Sequence, residues 1–328
     1  MSLYLETCLD DISWDDFVGR SLQRSVFCQS AFLRSLHADV VTMLVTQNGT
    51  PLAGVVLLLQ DGVPLKSPYP FTMYQGVLFD ESISGMPYHR RSKLILELEE
   101  FLLAELRGRF ETVSFCMHHT VEDLRGFQWF NYHDPNAGQC QLELRYTGIL
   151  ELKNITTPDE LLSQIRTVRR QEYRKCKADG FIVERSTDID VLDDLHHRTF
   201  VRQGMERNEL EGRLLRSITA VALETGMGEL LLCKTPSGDV ASATLFLYDD
   251  RYGYYLFAAN DPTYRKTGCG SFLMVENILR CMEKGLLGVD FVGINSPHRG
   301  DFKTSFNARP VPYHILTWQR PVTLSPEI

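Results

Sequence analysis

The stretch from Tyr252 to Phe306 restricts the fold more than any other part of the chain. It runs from a β-rich segment ending near Ala259, through the turn Arg265-Lys266-Thr267-Gly268-Cys269-Gly270, into an amphipathic helix from about Ser271. A buried strand at Val289 to Gly293 follows, and then Lys303 between Phe302 and Phe306. Strand, glycine turn, helix and strand in that order require a sheet with the helix packed on it. Successive backbone N–H groups at such a turn, with the positive end of the helix behind them, form a seat for a pyrophosphate. Gly268 and Gly270 let backbone come close, and Arg265 and Lys266 add charge. Taken alone the pattern is weak, because glycines are common at strand-to-helix turns.

The rest of the chain supplies context. Ser13, with Asp16 three residues on, reads as the cap of a short helix through Arg20, and Gln29 to Leu36 reads as another. Val40 to Thr46, Asn48-Gly49 and Pro51 to Gln60 read as a hairpin whose second strand is buried. A strand over Tyr74 to Phe79, a helix over Tyr88 to Arg107, a strand over Phe110 to Met117, a short helix over Val121 to Phe130 and a strand over Gln141 to Arg145 complete the first half. A boundary is expected near Gly148. Thr157-Pro158-Asp159-Glu160 then opens a helix predicted to run unbroken to Gly180, with Arg166, Arg169, Arg170, Arg174, Lys175 and Lys177 largely off its apolar stripe. That basic face reads as solvated or as meeting an anionic substrate. A strand over Phe181 to Arg185, helices over Ile189 to Arg202, stopped by Gln203-Gly204, and Glu209 to Glu224, and strands over Glu229 to Lys234, Val240 to Tyr248 and Tyr252 to Ala259 follow. The second half thus repeats the element order of the first.

With 328 residues, 44% of them hydrophobic, the chain can bury the cores of two domains. A net charge of −8 argues against a surface built mainly for polyanions, though it leaves room for a local basic groove. The eight cysteines are scattered without a C-x-x-C pair, which points to free thiols in a reducing compartment and no zinc; adjacent His118-His119 and His196-His197 face different ways on regular structure. The acidic opening MSLYLETCLDDISWDD is unlike a secretory signal, and no apolar run reaches the about 18 residues of a membrane span. A cytoplasmic location without a membrane span and without a metal is expected, and composition leaves the oligomeric state open.

Strand, R-x-x-G-x-G and amphipathic helix resemble the acyl-coenzyme A signature of the GNAT acyltransferase superfamily, which Arg265, Gly268 and Gly270 match at every fixed position. Val289-Asp290-Phe291-Val292-Gly293 and Asp301-Phe302-Lys303-Thr304-Ser305-Phe306 resemble the D-F-x-G and F-K-x-x-F elements of its FemAB-like branch. The resemblance implies an α+β fold with two tandem GNAT-like domains, each a mixed, mostly antiparallel sheet flanked by helices. The domains would span 1–148 and 149–328, with the cofactor motif in the second. It implies acyl-coenzyme A, acetyl-coenzyme A foremost, as co-substrate, bound by Arg265, Lys266, Thr267, Gly268, Cys269, Gly270 and Ser271. The acyl group would pass to an amine of a small acceptor such as an amino sugar or amino acid.

Within the same branch the donor is alternatively an aminoacyl-tRNA and the acceptor a cell-wall precursor. Two departures count against that alternative here: no long charged helical hairpin interrupts the second domain, and Asn307 stands where glycine commonly follows F-K-x-x-F. A non-catalytic binding module is the third reading. The first domain has no comparable turn, since Asp80 to Pro87 carries two acids and one glycine, and it is expected to form part of an acceptor cleft.

Acyl transfer passes through a tetrahedral oxyanion, so the site must orient the reactants, accept a proton and stabilise negative charge. Lys303 is the candidate for the charge-stabilising or leaving-group role, weighed against a surface lysine flanked by core phenylalanines. Of Tyr254 and Tyr255, which face opposite ways on their strand, Tyr255 is preferred for the cleft. Asp290, on an apolar strand, reads as a structural or positioning carboxylate rather than a base. His298 and Asp301, in the loop before Lys303, read as bases or substrate contacts, or as solvated loop residues. Arg198 and Arg202, four apart on one helical face, read as a clamp for an acceptor carboxylate or phosphate, or as a surface pair. Cys269, despite its helix N-terminus, has no visible base beside it and reads as a small turn residue.

Overall fold

The computed structural model describes residues 2–202 and 204–321; Gln203, expected above to help stop a helix, lies outside the described residues. The described chain clusters into two compact units. Residues 2–34, 38–145 and 312–321 form the first, and residues 35–37 and 146–311 form the second.

The first unit opens with β1 (Leu3–Thr7), α1 (Asp11–Arg20) and α2 (Ser30–Arg34), followed by β2 (Asp39–Gln47), β3 (Thr50–Gln60), β4 (Val63–Pro64) and β5 (Val77–Phe79). The cap of α1 is Asp10, whose carboxylate accepts from the Ser13 N–H, so the helix starts ahead of the expected Ser13 cap. The hairpin of β2 and β3 forms at Asn48-Gly49, where both residues take positive φ as the turn demands. β1 pairs with β2, and β4 and β5 both pair with β3, all antiparallel. Then come α3 (Tyr88–Arg109), β6 (Thr112–Cys116), α4 (Arg125–Gln128) and the start of β7 (Gln141–Glu151). Leu98, Leu102 and Leu106 recur every fourth residue on α3 and close over Val55, Leu57 and Phe115 in one apolar cluster.

One polar group sits on that buried face. Glu99 is fully buried; its Oε2 accepts from the Gly126 N–H at 3.0 Å, and its Oε1 has no hydrogen-bond partner among the described residues. Burial first, and the Asp123 charge after it, push its carboxyl up to about 9.

The second unit holds the rest of β7, α5 (Pro158–Gln164), α6 (Thr167–Ala178), β8 (Ile182–Ser186), α7 (Ile189–Arg202), α8 (Glu209–Thr225), β9 (Gly228–Lys234), β10 (Val240–Tyr248), β11 (Tyr252–Asn260), α9 (Cys269–Glu283), β12 (Gly288–Asp290), α10 (Pro297–Thr304) and the start of β13 (Arg309–Gln319). Its strands lie in the order β7, β12, β11, β10, β9, β8, antiparallel except for the β11–β12 pair. That exception follows from α9, which carries the chain back across the sheet.

Three expectations change. The helix expected to run unbroken to Gly180 is two helices, because Ile165 and Arg166 are extended and the Arg166 N–H donates to the Ser305 carbonyl at 2.9 Å instead of continuing the helix. The strand expected to end at Arg145 runs on to Glu151, so the division between the units falls inside β7. The second domain was expected to reach the C-terminus, yet Ile315 to Gln319 of β13 pair with β6 and belong to the first unit. Among the described residues no helix is long and apolar enough to cross a membrane.

Glu99 generates a stability prediction. Its folded pKa lies above the unfolded value, so the folded chain retains a proton that the unfolded chain has released, and this contribution is lost as pH rises from about 4.5 through about 9. Urea midpoints of Glu99→Gln should exceed those of the parent protein above neutral pH and converge with them in acid.

Candidate active site

The site is built where β11 and β12 part. The two strands pair only through Tyr252–Tyr254 and Gly288–Asp290. Beyond that, β11 carries one extra residue, Leu256, since Phe246 faces Tyr255 and Leu245 faces Phe257 across the ladder with β10. A bulge of this kind bends a strand and re-aims its side chains. On the other side the chain leaves the sheet after Asp290, with the Phe291 N–H donating to the Gly148 carbonyl at 2.9 Å.

The next two residues are left-handed, Val292 at φ 51° and Gly293 at φ 76°. For a β-branched residue this is an outlier costing about 1–2 kcal/mol. Asp290 Oδ1 holds it by accepting from the Val292 N–H at 2.8 Å and from the Thr147 hydroxyl at 2.5 Å, while Thr147 Oγ1 accepts from the Gly293 N–H at 3.2 Å. With their N–H groups so engaged, the Val292 and Gly293 carbonyls accept from Lys303 Nζ at 3.0 and 2.8 Å.

Lys303 is held in place by its helix. Phe306 is fully buried and stacks on Phe291 at 6.1 Å, and Phe302 meets Phe306 edge-on at 5.1 Å, so α10 is pinned by the aromatic residues that flank the lysine. The ammonium lies 5.4 Å from the centroid of the Tyr255 ring. Burial, with a smaller contribution from Arg299 and against the opposing Asp290 charge, lowers Lys303 to about 8. The Tyr255 phenol is pushed well up by burial and stays a neutral donor. Tyr254 faces the other way and is buried, with its hydroxyl donating to Asp249 at 2.5 Å.

The glycine turn stands at the N-terminus of α9. Gly268 is left-handed at φ 92°, and a Cβ there would lie 2.6 Å from Glu172 Cβ of α6; a Cβ on Gly270 would lie 2.8 Å from Asn260 Oδ1. Both glycines therefore serve close packing within the chain. Thr267 Oγ1 donates to the Tyr264 carbonyl at 2.7 Å and accepts from the Cys269 N–H at 3.2 Å. Cys269 is buried, and burial raises its thiol, so it is a small packing residue. Ser271 Oγ donates to Glu172 Oε2 at 2.5 Å and accepts from Arg169 Nη1 at 3.0 Å. Arg169 in turn pairs with Glu172 at 2.5 Å, donates from Nε to Ser305 Oγ at 3.0 Å and lies 5.0 Å over the Phe302 ring. Helix α6 thus spans from α9 to α10, and its Glu172 supplies the negative charge beside the first turn of α9.

Residues 163–303 match the family described as Acetyltransferase (GNAT) domain. Over nearly its whole length the chain is similar in structure to FemX, at 15% identity and a TM-score of 0.68, covering 96% of this chain and 97% of that one. A tandem GNAT protein from the clavulanic acid biosynthesis pathway is similar at 11% identity and 0.54, covering 99% and 100%. The chain has a FemAB-like tandem GNAT fold. The C-terminal domain of a putative lysylphosphatidylglycerol synthetase from Agrobacterium fabrum shares it at 12% identity and 0.52, covering 94% and 92%. No curated protein sequence matches. At these identities the likeness is one of fold.

A GNAT domain implies acyl-coenzyme A, and the turn can be tested for its pyrophosphate. Arg265 and Lys266 are exposed and offer charge, but the Glu172 side chain packs its Cβ and Cγ against Gly268 and its carboxylate on Ser271, with Arg169 as counter-ion. A second anion there would lie beside the half-buried Glu172 carboxylate, whose charge Arg169 already pairs. The residues as packed do not fit a pyrophosphate at this turn. Among the described residues no group of His, Cys, Asp or Glu is arranged to hold a metal ion.

The remaining sequence candidates fall in different places. Asp301 is exposed and paired in bidentate fashion with Arg166 at 2.9 Å, which holds its carboxyl below the usual range; it is a tie between α10 and α6. His298 is exposed at the start of α10. Arg198 is bound by Asp194 at 2.7 Å and Asp261 at 3.0 Å beside an open cleft of about 360 Å³, so its charge is already answered within the chain; Arg202 is exposed. The structure brings together Lys303 and Tyr255, and adds Thr147, Asp290, Val292 and Gly293 to them. Sequence reasoning passed over Thr147 and Glu172, since their partners lie 143 and 99 residues away.

The packing at Gly268 is open to test. Gly268→Ala adds both a left-handed side chain and an overlap with Glu172, and should lower the unfolding free energy by about 2 kcal/mol or more in urea titration. An alanine without measurable cost would show that α6 does not close on the turn.

Proposed function

We propose that this chain is an acyltransferase that joins an activated acyl group to an amine, with Lys303 holding the charge of the tetrahedral intermediate. The observation that carries the reading is the half-buried ammonium of Lys303, fixed by two backbone carbonyls beside the Tyr255 ring where β11 and β12 part. Attack by the amine forms the C–N bond and places negative charge on the carbonyl oxygen; collapse breaks the bond to the leaving group, which takes up the proton that the amine gives up. A desolvated ammonium is worth more to that oxyanion than one in water, and a group preset near it needs no reorganisation. The Tyr255 hydroxyl, kept protonated by its burial, is a second donor for the same region.

The sign of the pH response follows from this role. Only the protonated lysine stabilises an oxyanion, and Lys303 loses its proton near 8 instead of at the ordinary lysine value of 10.5. A lysine acting as general base would require the opposite limb.

For the donor, the closure of the turn by Glu172 supports an aminoacyl ester carried on tRNA over a coenzyme A thioester, because such an ester needs no pyrophosphate seat at α9. The exposed cations Arg174, Lys175 and Lys177 on α6, with Arg265 and Lys266 at the neighbouring turn, support a phosphate backbone as partner. The acceptor on this reading is an amine of a small molecule or of a cell-wall precursor. Coenzyme A remains the second reading, on the strength of the complete R-x-x-G-x-G.

Single-turnover transfer to a panel of amines tests the reaction. Lys303→Met should lower the rate about 10²–10³-fold with little change in KM, and Lys303→Arg should retain more of it than Lys303→Met. Filter binding of charged tRNA should weaken steeply between about 50 and 200 mM salt, and calorimetry with coenzyme A should give no heat. Coenzyme A binding that is abolished by Gly268→Asp would instead support the thioester.

A further inference from the structure

The two left-handed residues after Asp290 form a clamp with opposite faces. On one face both N–H groups are taken: Val292 donates to Asp290 Oδ1 at 2.8 Å and Gly293 to Thr147 Oγ1 at 3.2 Å. On the other face both carbonyls accept from Lys303 Nζ, at 3.0 and 2.8 Å. Thr147 joins the two halves by donating its hydroxyl to Asp290 at 2.5 Å. Asp290 and Thr147 are both buried to within about 1% of complete.

The order of these contacts has a chemical reason. The Val292 carbonyl and the Gly293 N–H belong to one peptide, so the acceptor that Thr147 Oγ1 gives to that N–H aims the Val292 carbonyl at Lys303, while the negative charge of Asp290 acts on the ammonium through space. Without an acceptor for the Val292 N–H, a valine has no reason to stay left-handed and would relax toward extended backbone, carrying its carbonyl off the lysine. We propose that Asp290 and Thr147 are positioning residues for Lys303: they hold the Val292–Gly293 turn so that its two carbonyls fix the ammonium where the acyl carbonyl is attacked. This rests on the acyl-transfer reading of the site and assigns the buried Asp290–Thr147 pair a role in it that no direct contact with substrate would give.

The groups that face the ammonium are few. Asp290 of β12 favours its charge, Arg299 of α10 opposes it, and Tyr255 of β11 presents a neutral ring. Asp290→Asn keeps an acceptor for the Val292 N–H and removes the only favourable charge among these three. Thr147→Val removes the acceptor for the Gly293 N–H and leaves every charge in place, whereas Thr147→Ser keeps the hydroxyl.

The test reads Lys303 by ¹³C NMR titration of lysine-labelled protein, together with single-turnover acyl transfer. The expected result is that Asp290→Asn lowers the Lys303 titration midpoint by about one unit, a tenfold change in its protonation equilibrium. Thr147→Val should reduce the transfer rate at least about tenfold at unchanged KM, Thr147→Ser should restore it, and the melting temperature of Thr147→Ser should match the parent.

An unchanged Lys303 midpoint in folded Asp290→Asn would overturn the proposal, as would a Thr147→Val rate equal to that of the parent. If Asp290→Asn does not fold, the serine and valine variants at Thr147 decide. If the parent protein transfers no acyl group to any amine, the functional reading fails while the NMR midpoints still report on the positioning.

Discussion

Lys303 carries its charge into a half-buried position because two carbonyl oxygens face it, and those carbonyls are turned that way only while Val292 and Gly293 both stay left-handed. The arrangement is a chain of dependence. Thr147 and Asp290 accept the N–H groups, the turn reverses, the carbonyls meet the lysine, and the aromatic pair Phe302 and Phe306 anchors the helix that brings it there. Each step costs something alone: a valine at positive φ, a buried carboxylate, a desolvated ammonium. Together they satisfy one another, which is the usual condition for strain and charge to persist in a folded protein.

The opening between β11 and β12 is where this chain of contacts ends. A bulge at Leu256 interrupts the β10–β11 register, and β12 stops after Asp290, so β11 and β12 pair only through Tyr252–Tyr254 and Lys303 meets Tyr255 just beyond that stretch. Helix α6 sets a second limit. Arg169 reaches from Ser271 on α9 to Ser305 at the end of α10, and the Glu172 side chain packs against Gly268. The turn that reads as a cofactor seat also packs α9 against α6, through Glu172 beside Gly268 and Ser271.

Much of this was legible in the sequence where the signal is local. Alternation along β11 separates Tyr254 from Tyr255, the phenylalanines one before and three after Lys303 mark it as anchored, and Asp290 on an otherwise apolar strand asks for a partner. What was not legible depends on contacts distant in sequence. The apolar period continues through Ile165, so the break between α5 and α6 is visible only once the Arg166 N–H is seen to donate to Ser305. Arg198 and Arg202 share a helical face, but the Asp261 that binds Arg198 lies on a loop 63 residues later. The return of β13 to the first unit likewise depends on its pairing with β6, which no local pattern announces.

The most direct measurement is the single-turnover acyl-transfer rate as a function of pH, from about 6 to 10, under conditions where the amine acceptor's own ionisation is corrected for. The account predicts one alkaline limb, with the rate falling as pH rises through about 8, and the loss of that limb in Lys303→Arg. A rate that climbs through the same pH, or that stays level up to the ordinary lysine range, would contradict the assignment of Lys303 as the charge that stabilises the intermediate.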